Sequence, residues 1–209
     1  MGIGIIFLNI NKYISRVISI NYINILLKNM FKQIPNILTI SRIALIPLIL
    51  FFYSFGGRYG DIISASLFAF ACITDFLDGY LARIYSIQSK LGRILDPIAD
   101  KLLVGSVILV LVYYKKADLL PSIAIICREI LVSGLREFLA EIRVSMPVSN
   151  LAKVKTGFQM SAIFMLLLAG NGSNVLYLDV LGSAALWIAA GLTLFTGYAY
   201  LKSGLKYID

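Results

Sequence analysis

The 209-residue chain has no histidine, only two cysteines, and few charged residues, 14% of the total. The missing histidine removes Ser/His and Cys/His nucleophile systems and leaves carboxylates as the acid–base groups. Cys72 and Cys127 fall in apolar runs and form no paired framework, so disulfide and zinc architectures are set aside. Sparse charge beside 59% hydrophobic residues and a mean hydropathy of +0.87 excludes an ordinary soluble domain. No solvated basic domain is present either, so the net charge of +8 does not point to nucleic acid.

What is there is apolar sequence in blocks. Runs at about 36–55, 62–82, 94–114, 119–140, 156–171 and 176–201 each approach the roughly 20 residues that a spanning helix needs. They predict an all-α integral membrane protein with six transmembrane helices in one domain, residues 34–209. Lys and Arg are asymmetric about these runs. Lys12, Arg16, Lys28, Lys32, Arg83, Lys90, Arg93, Arg136, Arg143, Lys153, Lys155, Lys202 and Lys206 fall on or near one side, and Arg58, Lys115 and Lys116 on the other. The positive-inside tendency puts the first group in the cytoplasm, as expected of a multi-pass protein of the cell inner membrane. That excess also suits anionic lipid headgroups and anionic substrates. Residues 1–33 precede the first run as a separate extension. Their Ile- and Asn-rich stretch lacks a secretory cleavage site and reads as an amphipathic interfacial helix. Initiation at Met30 of "MFKQIPN" is the other reading, and both stay open.

The segment "DFLDGYLARIYSIQSKLGRILDPIAD", residues 75–100, brings four aspartates to the hairpin between the second and third runs. Helical spacing puts Asp75, Asp78, Gly79 and Ala82 on one side of one helix and Gly92, Asp96 and Asp100 on one face of the next. An acid within a spanning helix costs roughly 2.5–3.5 kcal/mol, so four together call for a watered cavity, a cation, or both. All-oxygen ligands favour a hard ion, Mg²⁺ or Mn²⁺. The glycines and Ala82 leave room for a phosphate or ribose, although small residues also serve helix packing. Capping is an alternative for single aspartates such as Asp96 before Pro97. A cation or proton transport path is an alternative for the whole group.

Read as a pattern, the hairpin is DxxDGxxAR, eight residues, then GxxxDxxxD: Asp75, Asp78, Gly79, Ala82, Arg83, Gly92, Asp96 and Asp100. It resembles the signature of the CDP-alcohol phosphatidyltransferase family at every defining position. The resemblance implies six transmembrane helices in a homodimer and a cytoplasm-facing site holding two divalent metals. Asp75, Asp78, Asp96 and Asp100 would be the metal carboxylates, with Asp100 also the catalytic general base. Asp78, Gly79, Ala82 and Arg83 would border the CDP moiety. The implied reaction transfers a phosphatidyl group from CDP-diacylglycerol to an alcohol and releases CMP.

The acceptor has to be read outside that signature. In "CREILVSGLREFLAEI" (127–142) and "LAKVKTGFQM" (151–160), Arg136, Lys153 and Lys155 gather near the cytoplasmic edge, and Arg128 lies deeper. A dianionic phosphate suits such a cluster, although cytoplasmic loops are basic in any case. Glu129 lies nearly on one face with Arg136, and pairing with a base on another helix is its other option. These stretches, with "IPNILTISRIALIP" (34–47), are similar to the branch of the family that uses sn-glycerol 3-phosphate and makes phosphatidylglycerophosphate. By that likeness Arg128, Arg136, Lys153 and Lys155 would hold the acceptor phosphate. Asn36, Thr39, Arg42, Gly92 and Glu129 are further candidates. Asn36 and Thr39 would otherwise start a helix, and Arg42 would otherwise snorkel to the interface. Serine, inositol phosphate or phosphatidylglycerol as acceptor remain the alternatives within the same chemistry.

Overall fold

The structure is a computed structural model that describes residues 37–85, 90–144, 150–169 and 177–207. The extension 1–33 and Asn36 lie outside the described residues. Those residues form six helices and no strand: α1 (Ile37–Phe55), α2 (Gly57–Tyr85), α3 (Lys90–Tyr113), α4 (Leu119–Glu141), α5 (Asn150–Leu168) and α6 (Leu178–Leu205). Each overlaps one of the apolar runs.

Among the described residues, four segments are long and apolar enough to cross a membrane: α1, Gly57–Leu77 of α2, α5 and α6. This is fewer than the six spans expected, and the reason is chemical. The third helix is interrupted by Asp96, Asp100 and Lys101, and the fourth by Arg128, Glu129 and Arg136. Charge is thus concentrated in the two helices that carry much of the polar end of the bundle.

The core is apolar and fully covered, with Ile49, Phe68, Val107, Ile108, Ile125, Ile163, Leu167 and Leu186 buried. Buried alanines at 65, 71, 162, 185, 189 and 190 let helix backbones approach closely. The outward surface is just as apolar: Phe51, Phe55, Phe70, Leu109, Phe195 and Tyr198 are exposed. Water would penalise such a surface, whereas lipid would not. The last helix packs along α5 and α4, and α5 also meets α2 and α3.

At one end the bundle closes on itself. Only Gly56 separates α1 from α2, and the chain reverses through left-handed backbone at Gly56 (φ 67°) and Gly57 (φ 78°), a conformation that glycine adopts without steric cost. Tyr53 and Tyr114 meet edge-to-face at 5.4 Å. Trp187 donates its indole N–H to Oδ2 of Asp118 over 2.7 Å, and Ser183 Oγ donates to the same oxygen over 3.2 Å, tying α6 to the start of α4.

The α1–α2 hairpin is tight enough to forbid a side chain at Gly60, where an added Cβ would lie 2.6 Å from the carbonyl oxygen of Phe52. Gly60→Ala is expected to lower stability by about 1–3 kcal/mol through overpacking against backbone. Gly157→Ala, where nothing lies within 4 Å, should be neutral. Thermal unfolding of the two variants in detergent checks this.

Candidate active site

The first turns of α1 set up one half of the opposite end. Thr39 and Arg42, three residues apart, share a helix face and are buried at 0% and 1% exposure. Arg42 donates from NH1 to Oδ1 of Asp100 over 2.7 Å. Its NH2 makes an ion pair with Oδ1 of Asp75 at 2.9 Å. Thr39 donates its hydroxyl to Oδ1 of Asp96. Three helices are therefore joined through side chains on α1. Neither residue does what its position alone offered: Thr39 does not merely start a helix, and Arg42 does not snorkel. The capping alternative for Asp96 also fails, because α3 begins six residues earlier, at Lys90.

Asp78, Gly79, Ala82 and Arg83 lie on the last turns of α2 by backbone, and their side-chain placement is outside the described residues. Gly92 is buried. Among the described residues no group of three acidic or sulfur side chains forms a cation cage. Asp75, Asp96 and Asp100 against one Arg42 nevertheless leave two negative charges on oxygen donors alone, which is the chemistry that a hard divalent cation requires.

The other half is built by α4, α5 and α6 with the opposite charge ratio. Oε1 of Glu129 accepts from NH1 of Arg128 at 3.0 Å. The same oxygen accepts from Nζ of Lys155, which is 3% exposed. The partner of Glu129 is thus a base on another helix as well as its neighbour in sequence. Arg128 also donates from NH2 to Oγ1 of Thr196 over 3.2 Å and lies 5.7 Å from the ring centroid of Tyr200. Its stem passes so near Gly197 that a Cβ there would sit 2.8 Å from Cγ of Arg128. Arg136 and Lys153 are exposed, whereas Arg128 and Glu129 are partly buried and Lys155 is buried.

A cavity of about 520 Å³ joins the halves. Asp75, Asp100, Lys101, Glu129, Lys155 and Gln159 supply polar lining groups, between apolar stretches such as Ile98, Leu102, Ile126 and Ile130. Lys101 directs Nζ to the carbonyl of Pro97 at 2.8 Å. Reading by motif passes over Lys101, Gln159, Thr196, Gly197 and Tyr200. A polar residue one turn from Lys155 in an apolar helix was a usable signal for Gln159. The α6 residues carry no comparable mark in the sequence.

Residues 32–195 match the CDP-alcohol phosphatidyltransferase family. The chain belongs to that family. Its members transfer phosphatidyl groups, and this chain is such an enzyme. It is similar to a protein of Rickettsia bellii (strain RML369-C) named CDP-diacylglycerol–glycerol-3-phosphate 3-phosphatidyltransferase, at 52% identity over 84% of this chain and 97% of the relative. A protein of the same name from Pectobacterium atrosepticum is 40% identical over 82% of this chain and 94% of the relative. Another from Pseudomonas fluorescens is 40% identical over 84% and 92%. In this family member the signature aspartates Asp75, Asp96 and Asp100 stand within the contact network of α1, and Asp75 and Asp100 line the cavity.

Two outcomes follow from these contacts. Gly197→Ala should push Arg128 aside and reduce CMP release roughly tenfold to a hundredfold, as misplacement of a site group by about 1 Å does. Gly191→Ala on the same helix, with open space around it, should leave CMP release unchanged. Arg42→Met should leave Asp75 and Asp100 without their shared guanidinium and lower stability by about 1–3 kcal/mol. Arg42→Lys, which keeps the charge, should lose less, as read by thermal unfolding in detergent.

Proposed function

We propose that this chain transfers the phosphatidyl group of CDP-diacylglycerol to sn-glycerol 3-phosphate, giving phosphatidylglycerophosphate and CMP. The observation that carries the reading is the shared cavity, in which Asp75 and Asp100 stand with Lys101 and Lys155. A site for this reaction needs carboxylates where a pyrophosphate is cleaved and cations where the acceptor's phosphate rests. The names of the relatives give the same pair of substrates.

In this proposal the acceptor's primary hydroxyl oxygen forms a new bond to the phosphatidyl phosphorus, and the bond from that phosphorus to the CMP oxygen breaks. Asp100 accepts the hydroxyl proton. Arg42 holds Oδ1 of Asp100, which leaves Oδ2 for the transfer and keeps the carboxylate from rotating away. Asp75, Asp78, Asp96 and Asp100 would hold two divalent cations, Mg²⁺ or Mn²⁺. When bound, such a pair neutralises the pyrophosphate and stabilises the departing CMP oxygen. Gly79, Ala82 and Arg83 continue the helix turns that carry Asp75 and Asp78, and they would border the cytidine nucleotide. Lys155 and Arg128, with Glu129 between them, retain one positive charge and would take the acceptor phosphate. The exposed Arg136 and Lys153 would attract that dianion from solution.

The same proposal places α3 and α4 across the membrane beside the four apolar spans, with Asp100, Lys101 and Glu129 facing the cavity. It orients the site to the cytoplasm in the cell inner membrane, on the positive-inside asymmetry of Lys and Arg. It takes the assembly to be a homodimer, on the family likeness.

The experiment is an acceptor panel: purified protein, labelled CDP-diacylglycerol, Mg²⁺ or Mn²⁺, and glycerol 3-phosphate, serine, inositol phosphate or phosphatidylglycerol. Glycerol 3-phosphate should be used in clear preference, and equal use of serine would refute the assignment. Asp100→Asn should reduce CMP release by about a hundredfold or more, the range that a general base contributes, while the protein still unfolds cooperatively.

A further inference from the structure

Gln159 is placed where the reaction has an unmet requirement. It lies on α5 one helical turn beyond Lys155, with only 3% of its surface exposed, and it lines the same cavity as Asp75 and Asp100. Its Oε1 is buried without a hydrogen-bond partner among the described residues. The cavity lining combines apolar Ile126, Ile130 and Met160 with the donors Lys101, Lys155 and Thr156, and none of these donates to Oε1. An orphaned amide oxygen destabilises a folded chain, so its persistence at a cavity wall indicates that a ligand group satisfies it.

The chemistry of that group follows from the rest of the cavity. A carbonyl oxygen accepts hydrogen bonds, so it repels a phosphate dianion and suits a hydroxyl donor. Resting on the acceptor assignment above, the phosphate falls to the cations and the reacting primary hydroxyl to Asp100. The group left over on the acceptor is its secondary hydroxyl. We propose that Gln159 is a specificity-determining residue that accepts a hydrogen bond from the non-reacting secondary hydroxyl of the polyol phosphate, using an amide carbonyl held in the wall of the cavity shared with Asp100 and Lys155.

Sites built to bind a hydroxyl discriminate strongly against analogues that lack it, whereas apolar pockets barely do so. The test therefore uses 3-hydroxypropyl phosphate, which keeps the phosphate and the primary hydroxyl and lacks the secondary one. Wild-type protein should favour glycerol 3-phosphate over this analogue in kcat/KM by about tenfold or more. In Gln159→Leu the ratio should fall toward one, through loss of activity with glycerol 3-phosphate and little change with the analogue. Gln159→Met, closer in shape, provides a second apolar variant should the leucine not fold. A wild type without preference, or a variant that retains the wild-type ratio, overturns the role of Gln159 while leaving the reaction assignment standing. A wild type that releases CMP with another acceptor and not with glycerol 3-phosphate overturns both.

Discussion

The contact on which the polar end of this bundle depends is the guanidinium of Arg42 between two carboxylates. A charge buried to 1% exposure among apolar helices is costly unless it is paired and hydrogen-bonded. Asp75 and Asp100 meet that condition from two different helices, at 2.9 and 2.7 Å. The dependence is mutual, because two carboxylates brought close without a cation would repel each other. The first turns of α1, the C-terminal half of α2 and the N-terminal half of α3 are therefore held together electrostatically where the apolar core gives way to charge. The bond from Thr39 to Asp96 adds a second tie in the same place.

Across the cavity the ratio is inverted. One carboxylate, Glu129, stands between Arg128 and Lys155, and α6 contributes the groups that support Arg128: a hydroxyl from Thr196, the face of Tyr200 and the open flank of Gly197. A region with a surplus of negative charge thus faces one with a surplus of positive charge, with apolar side chains between them. Charges in such surroundings are screened less than in water, so the polarity of the cavity persists over its length. A nucleotide pyrophosphate with its counter-cations and an acceptor phosphate have opposite requirements. In the proposed reaction the two sides of the cavity would separate those requirements in space.

The fold was legible because the constraints behind it are one-dimensional. A spanning helix needs a run of apolar residues, and all six runs became helices, with ends displaced by a few residues, as where α5 starts at Asn150 rather than near 156. The aspartate hairpin was legible for a related reason: Asp75 and Asp78, and then Asp96 and Asp100, stand at helical spacing within 26 residues, so local geometry suffices to put each pair on one side of its own helix. Charge within a run was harder to interpret. Asp96, Asp100 and Lys101 on α3, and Arg128, Glu129 and Arg136 on α4, weaken the apolar pattern because they belong to the polar end of the bundle.

The basic residues show where one-dimensional reading stops. Arg128, Arg136, Lys153 and Lys155 look equivalent as a cationic group near the same edge. The packed helices bury Lys155 and draw Arg128 into contact with α6, while Arg136 and Lys153 remain at the surface. Arg42 differs from a snorkelling interface residue only through carboxylates more than thirty positions away. The sequence by itself determined the all-helical class, the apolar character and the family's aspartate spacing, since each is set by neighbours within a few turns. Only the tertiary structure decided which cation meets which acid, that Gln159 lines the cavity with its carbonyl unpaired, and that α6 supports Arg128. Those outcomes depend on which helix faces come together, and helix packing is a property of the whole bundle.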